Sequence, residues 1–251
     1  MIKHNQNKPL TCPLCHNRGF TIKNGFAYPC SCVEQKSKAN RLLKANLGRL
    51  QHQSKFENFS LKYYPKSPEQ ESGTQTYYRN AEIALEAAQH FAREFAKGNY
   101  HGQGLLLTGT VGSGKTYLAS AIANYVLENG KQVLFTVVPD LLDKIKATYD
   151  RSNPIEADEM EILDQARTAE LLILDDLGVH NYTNWTVNKI YSILNYRANH
   201  QLPLIITTNL CLADLDIFLG ERTTSRILQL CKICRLSNRE DIRYLKSKEP
   251  I

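Results

Sequence analysis

Hydrophobic residues fall along this chain in two alternating rhythms. Short, almost uninterrupted apolar runs stand at 104–108, 132–137, 171–175, 203–207 and 230–236. Between or beside them, at 115–128, 139–149, 156–168, 185–200 and 220–229, apolar residues recur every three or four positions. A run that is apolar throughout fits a strand buried on both faces, and the wider spacing fits a helix with one face on a core. Strands separated by helices imply an α/β fold, a parallel sheet covered by helices on both sides. A further helix is expected from Thr76 to Lys97, turning Ile83, Leu85, Ala88, Phe91, Ala92 and Phe95 inward.

The first apolar run leads directly into Gly109-Thr110-Val111-Gly112-Ser113-Gly114-Lys115-Thr116. Gly-x-x-x-x-Gly-Lys-Thr between a strand and a helix is a phosphate-binding loop. Glycines let backbone N–H groups close around an anion, and the helix adds its positive N-terminal end. All eight residues are expected to bind a nucleotide, with Lys115 at the β/γ-phosphates and the Thr116 hydroxyl on Mg2+. The run Leu171-Leu172-Ile173-Leu174 ends in Asp175-Asp176, and the carboxyl ends of parallel strands are where such sheets bind ligands. Asp175 is expected to hold Mg2+ through water, and Asp176 to orient or deprotonate the attacking water. The run before Thr207-Thr208-Asn209 ends the same way, placing Asn209 to hydrogen-bond the γ-phosphate or that water.

Charge changes the picture at one end of the chain. The net charge is +6, yet residues 1–60 hold ten Lys or Arg against only Glu34 and Glu57. The basic character therefore belongs to the N-terminal region, which suits an acidic or nucleic-acid partner or simply a solvated face. Leu42, Leu43, Leu47 and Leu50 at helical spacing predict a basic amphipathic helix from about 36 to 52, and the polar stretch 68–73 a linker. No stretch is long and apolar enough to span a membrane, and Met1-Ile2-Lys3-His4-Asn5-Gln6 lacks a secretory core, so a cytoplasmic, non-membrane protein is expected.

Seven cysteines in such a chain argue against disulfides. Cys12-Pro13-Leu14-Cys15 and Cys30-Ser31-Cys32 have the layout of a small zinc ribbon, with strands at 20–22 and 26–28 and turns at Gly19 and Asn24-Gly25. Cys12, Cys15, Cys30 and Cys32 would close a structural Zn2+ site, although His16 could replace one ligand. Cys231, Cys234 and Cys211 read as buried structural thiols. The expected domains are a zinc ribbon at 1–35, a basic helix and linker at 36–75 and the nucleotide-binding domain at 76–251.

Taken with Gly220-Glu221-Arg222-Thr223-Thr224-Ser225-Arg226, these motifs resemble the AAA+ ATPases of the DnaC/DnaI helicase-loader and IstB transposition-helper group, over roughly residues 55–245. The resemblance implies an AAA+ P-loop core and an ATP-dependent loader that binds a replicative DNA helicase and helps place it on single-stranded DNA. ATP binding and slow hydrolysis, stimulated by assembly or DNA, would act as the switch. It implies a homo-oligomer in which Arg222 reaches a neighbour's ATP as an arginine finger, with Arg226 taking or bracing that role. Arg243 matches the sensor-2 position, with Arg239 as competitor, and Phe56-Glu57-Asn58-Phe59 matches the segment beside the adenine. Asp176 stands where AAA+ proteins commonly carry Glu, one methylene longer, which fits this group and slow turnover. Eight residues follow Arg243, too few for a helical lid, which leaves partner recognition to the N-terminal cysteine domain. The region 139–168 would contact DNA through Lys144, Lys146, Tyr149, Arg151 and Arg167. An IstB-like helper of transposition has the same core motifs and stays as the alternative.

Overall fold

The computed structural model describes residues 12–15, 18–23, 26–33, 45, 47–48, 51–69, 75–98, 100, 102–149, 158–178 and 182–249. Strands β1 (Phe20–Lys23) and β2 (Phe26–Pro29) pair antiparallel as a short hairpin. The larger body begins with helix α1 (Tyr77–Ala96) and continues through β3 (Gly104–Thr108), α2 (Lys115–Glu128), β4 (Val133–Val137) and α3 (Val138–Ala147). It goes on through α4 (Glu159–Thr168), β5 (Leu171–Leu177), α5 (Asn184–Asn199), β6 (Leu204–Thr208), α6 (Leu212–Leu219), α7 (Glu221–Leu230), β7 (Cys231–Arg235) and α8 (Ile242–Ser247).

Strands β3 to β7 form one parallel sheet in the order β4-β5-β6-β3-β7. Alternate residues of each strand serve opposite cores. Leu105, Leu107, Ile173 and Ile205 face α1 and α2, whereas Leu106, Leu172, Leu174, Leu204 and Ile206 face α3 to α7. Burial on both faces is why these strands are apolar without alternation. The chain leaves β3 for the far edge at β4, and leaves β6 in the other direction for β7. The crevice beyond the carboxyl ends of β3 and β6 is therefore the switch point where open α/β sheets take ligands.

The buried stripe of α1 consists of Tyr77, Asn80, Ala81, Ala84, Ala88, Phe91, Ala92 and Phe95, with Thr76 capping its start. Ile83 and Leu85, expected in that stripe, are only half-buried, because the small alanines are what face α2 and the sheet. Cys231 and Cys234 are buried on opposite faces of the sheet, one in each core, and so cannot act as a pair. Cys211 corrects the expectation of a third buried thiol. It is exposed, and its sulfur caps α6 by accepting from the Asp214 N–H.

Within the span expected as basic helix and linker, residues 51–63 carry three 3-10 turns, the first two lying against α2 and the third against α1. Asn124 Nδ2 donates to the carbonyls of Gln51 (2.7 Å) and Ser54 (2.8 Å), and Tyr117 exchanges hydrogen bonds with the backbone of Lys55. Most of the predicted basic helix, including Leu42, Leu43 and Leu50, lies outside the described residues, as do His16, Asn24, Gly25 and residues 70–73. Among the described residues no helix is long and apolar enough to cross a membrane.

Candidate functional site

The loop after β3 is shaped by what it must avoid. Gly109 has φ +147°, and a Cβ there would sit 2.1 Å from the Leu236 carbonyl oxygen. Gly112 has φ +69°, and its Cβ would meet the Asp241 carboxyl group at 2.1 Å, so both positions need glycine for conformation and for space. The C-terminal segment holds the loop in place. Thr110 Oγ1 donates to the Asn238 carbonyl and accepts from its N–H, and the Ile242 N–H donates to Gly112 O at 3.1 Å. Tyr64 adds a third tie, its hydroxyl donating to Ser113 O at 2.6 Å. Helix α2 starts at Lys115 behind Gly114, which has φ 97° and offers no side-chain cap. Its first N–H groups are therefore left for an external acceptor, as at an anion-binding helix start.

Lys115 lies only 5% exposed beneath the loop. Its Nζ donates to the carbonyls of Gly109 (2.9 Å) and Thr110 (2.6 Å). Burial pulls its pKa down to about 8, with Asp176 and Asp175 opposing that shift. The Thr116 hydroxyl donates to Asp175 Oδ1 at 2.9 Å, and the Thr207 hydroxyl donates to the same oxygen at 2.6 Å. Asp175 is 2% exposed, and burial pushes its pKa up to about 6 against those two hydroxyls. A buried ammonium and a buried carboxylate, both held by neutral groups, form a site that a charged ligand would complete.

Above them opens a cleft of about 830 Å³. It brings together the loop residues 111–116 with Asp176, Asn209 and Arg243, and its far wall carries Asn58, Phe59 and Tyr64. The Phe59 ring stacks on Tyr64 with centroids 5.8 Å apart. Between the two sensor-2 candidates the geometry separates clearly: Arg243 lines the cleft, while the Arg239 guanidinium lies over the Tyr77 ring at 5.9 Å. Arg222 is exposed on the first turn of α7, Arg226 donates to Gln229 Oε1, and neither is among the described residues lining the cleft. In the helical region before β5, Lys144, Lys146 and Tyr149 are exposed, and Tyr149 and Lys146 approach the Trp185 ring at 6.0 and 5.8 Å. Arg167 is tied to Asp164 and Ser192, and Arg151 lies outside the described residues.

The hairpin brings a second set together. The sulfurs of Cys12, Cys15, Cys30 and Cys32 all lie within 4.8 Å of one another, with Cys12–Cys30 at 3.8 Å and Cys15–Cys32 at 3.3 Å. Four thiolates about 2.3 Å from a tetrahedral zinc stand roughly 3.8 Å apart, so the donor set and its spacing fit Zn2+.

Sequence reasoning missed Thr207, Tyr64 and Arg197. Arg197 is fully buried and donates to the carbonyls of Ala166, Arg167, Ala169 and Pro203, closing the end of α4. Its spacing from Ile190, Ile193 and Leu194 puts it on the covered face of α5, but the carbonyls that receive it lie outside that helix. A Thr-Thr pair just before Asn209 was the visible signal for Thr207.

A parallel sheet between helices, with a glycine-rich loop, buried lysine and strand-end carboxylates at its switch point, defines a P-loop nucleotide-binding protein of AAA+ type. The chain belongs to the family of IstB-like ATP binding proteins, whose pattern matches residues 84–246. It is 32% identical over 141 residues to "Replicative helicase loader DnaC" of Buchnera aphidicola subsp. Baizongia pistaciae, covering 56% of this chain and 55% of that protein. The chain thus spans about half the length of the curated relatives it matches. A crystal structure of the DnaC helicase loader aligns with a TM-score of 0.60 at 26% identity, covering 75% of this chain and 99% of that one. The crystal structure of DnaI, at TM-score 0.60 and 23% identity over 78% of this chain and 94% of that one, shares the fold.

Proposed function

We propose that this chain is an ATP-dependent loader that binds a replicative DNA helicase and helps place it on single-stranded DNA. The observation that carries the reading is the junction of Lys115, Thr116 and Asp175 beneath an open cleft, in a chain similar to DnaC helicase loaders. The triphosphate would draw the Lys115 ammonium from the two loop carbonyls, since phosphate oxygens are stronger, charged acceptors. Thr116 and Asp175 would hold Mg2+, which supplies charge neutralisation for the phosphates. Asp176 would orient or deprotonate the attacking water, with Asn209 and Arg243 contacting the γ-phosphate and Phe59 and Tyr64 walling the base.

Arg222, or Arg226 beside it, would serve a neighbouring copy's nucleotide, so that turnover requires a homo-oligomer. The four-cysteine hairpin with Zn2+ and the basic segment after it would grip the helicase, and Lys144, Lys146 and Tyr149 would contact single-stranded DNA. Helicase loading by the unaltered chain and by Lys115→Ala tests the switch: loading should fail in the variant, and undiminished loading would refute that role. A second reading is the IstB-like helper of DNA transposition that the sequence resemblance also implies, and membership of the IstB-like ATP binding family is compatible with it. Parallel pull-downs with a replicative helicase and a transposase separate the two.

A further inference from the structure

Strand β5 does not run evenly past β6. Leu174 is registered against Ile206 and Leu177 against Thr208, with an irregularity between them. Asp175 and Asp176 therefore face the single residue Thr207, which is the count of a β-bulge. Asp176 takes φ +56°, a left-handed conformation uncommon for a residue with a side chain. In a regular strand two successive side chains point to opposite faces. Here both carboxyl groups reach the cleft end of the sheet, Asp175 against Thr116 and Asp176 among the cleft-lining residues.

Thr207 is fully buried, and both of its hydroxyl functions are used. The hydroxyl accepts from the Asp176 N–H at 2.9 Å, which satisfies the donor that the bulge takes out of the ladder. It gives its one proton to Asp175 Oδ1 at 2.6 Å. With Oδ1 already occupied by Thr116 and Thr207, rotation of the Asp175 carboxylate is fixed.

We propose that Thr207 is a positioning residue for ATP hydrolysis: its hydroxyl closes the bulge and sets both carboxylates against the phosphate loop. This inference rests on reading the cleft as an ATP-hydrolysing site. Thr207 is not among the described residues lining the cleft, and it acts through Asp175 and Asp176.

Thr207→Val keeps the shape and removes the hydroxyl, and Thr207→Ser keeps the hydroxyl and removes a methyl. Steady-state ATP turnover is measured for each, together with the affinity for a fluorescent ATP analogue with and without Mg2+. Thr207→Val should lower kcat about tenfold or more in saturating Mg-ATP, the loss expected of a contact needed in the transition state. It should also lose most of the affinity that Mg2+ adds, while Thr207→Ser recovers both. Wild-type kcat and Mg2+ response in Thr207→Val would overturn the inference, as would a Thr207→Ser protein impaired as much as Thr207→Val. If Thr207→Val does not fold, Thr207→Ala is read by the same criteria. An unaltered chain that binds Mg-nucleotide without turnover would sink the hydrolysis reading alone. The Mg2+-dependent affinities would then decide Thr207, a loss confined to the hydroxyl-free variants supporting it and equal values in all variants overturning it.

Discussion

The Thr116 hydroxyl donates to Asp175 Oδ1 at 2.9 Å, joining two residues 59 positions apart in sequence. Through that bond the start of α2 and the end of β5 are set against each other before any ligand arrives. The arrangement has an electrostatic cost, since burial keeps Asp175 from ionising easily.

The cost gives a pH signature. The folded-state pKa of Asp175, about 6, lies above the ordinary aspartate value of 3.8, so folding favours the protonated form. This group's stabilising contribution is complete below about pH 4 and is lost as pH rises through about 6. Asp175→Asn removes the penalty, and at pH 7.5 the nucleotide-free variant should be more stable than the parent by about 3 kcal/mol. Thermal melts from pH 4 to 7.5 check this: the gap between the two proteins should widen with pH. A constant gap would count against a buried, reluctant carboxylate.

Arg222 is exposed and outside its own cleft, which is the placement a finger acting on a neighbour requires. Arg222→Ala should bind nucleotide normally and turn over at least about a hundredfold more slowly. Mixing it with Lys115→Ala, itself inactive, should restore part of the activity, because each protein supplies what the other lacks. Mixtures no more active than their components would remove the trans assignment. The same mixing with Arg226→Ala tells which arginine acts.

The cysteine cluster should hold about one zinc ion per chain. Metal analysis of Cys12→Ser and Cys30→Ser should show that ion lost, and helicase binding lost with it, while nucleotide affinity stays within about twofold, since the cleft is built from other elements. Full metal content in both variants would remove the site.

Arg197 supports the fold through four carbonyl groups and has its pKa lowered to about 9 by burial. Arg197→Met leaves those acceptors without a donor and should cost about 3 kcal/mol in urea unfolding. Arg197→Lys should recover little, because a single ammonium cannot reproduce the planar fork. A loss under about 0.5 kcal/mol would mean the carbonyls find other partners.

Arg197 also marks what the sequence could and could not disclose. Strand β3 and the apolar runs of β5 and β6 were legible because both of their faces are buried, and Leu105, Leu106 and Leu107 serve different cores in turn, whereas the edge strand β7 exposes Lys232. The loop was legible because Gly109, Gly112 and Gly114 occupy backbone conformations that few other residues tolerate. Periodicity places Arg197 on the covered face of α5 with Ile190, Ile193 and Leu194, but it does not show the carbonyl groups at the end of another helix that receive its guanidinium. Thr207 was hidden for a similar reason: a bulge depends on how two strands are registered, and neither strand shows it alone. Cys211 was misplaced because a thiol at a helix start can act as a cap as readily as fill a core.

The central claim is that the Lys115 loop binds the triphosphate of a magnesium-complexed adenine nucleotide. Equilibrium titration of the unaltered chain and of Lys115→Ala with a fluorescent ATP analogue in Mg2+ tests it most directly. Saturable binding by the unaltered chain, weakened about thirtyfold or more in Lys115→Ala, is the result predicted from losing a charge-assisted contact. Equal affinity in the two proteins, or none in either, would contradict it.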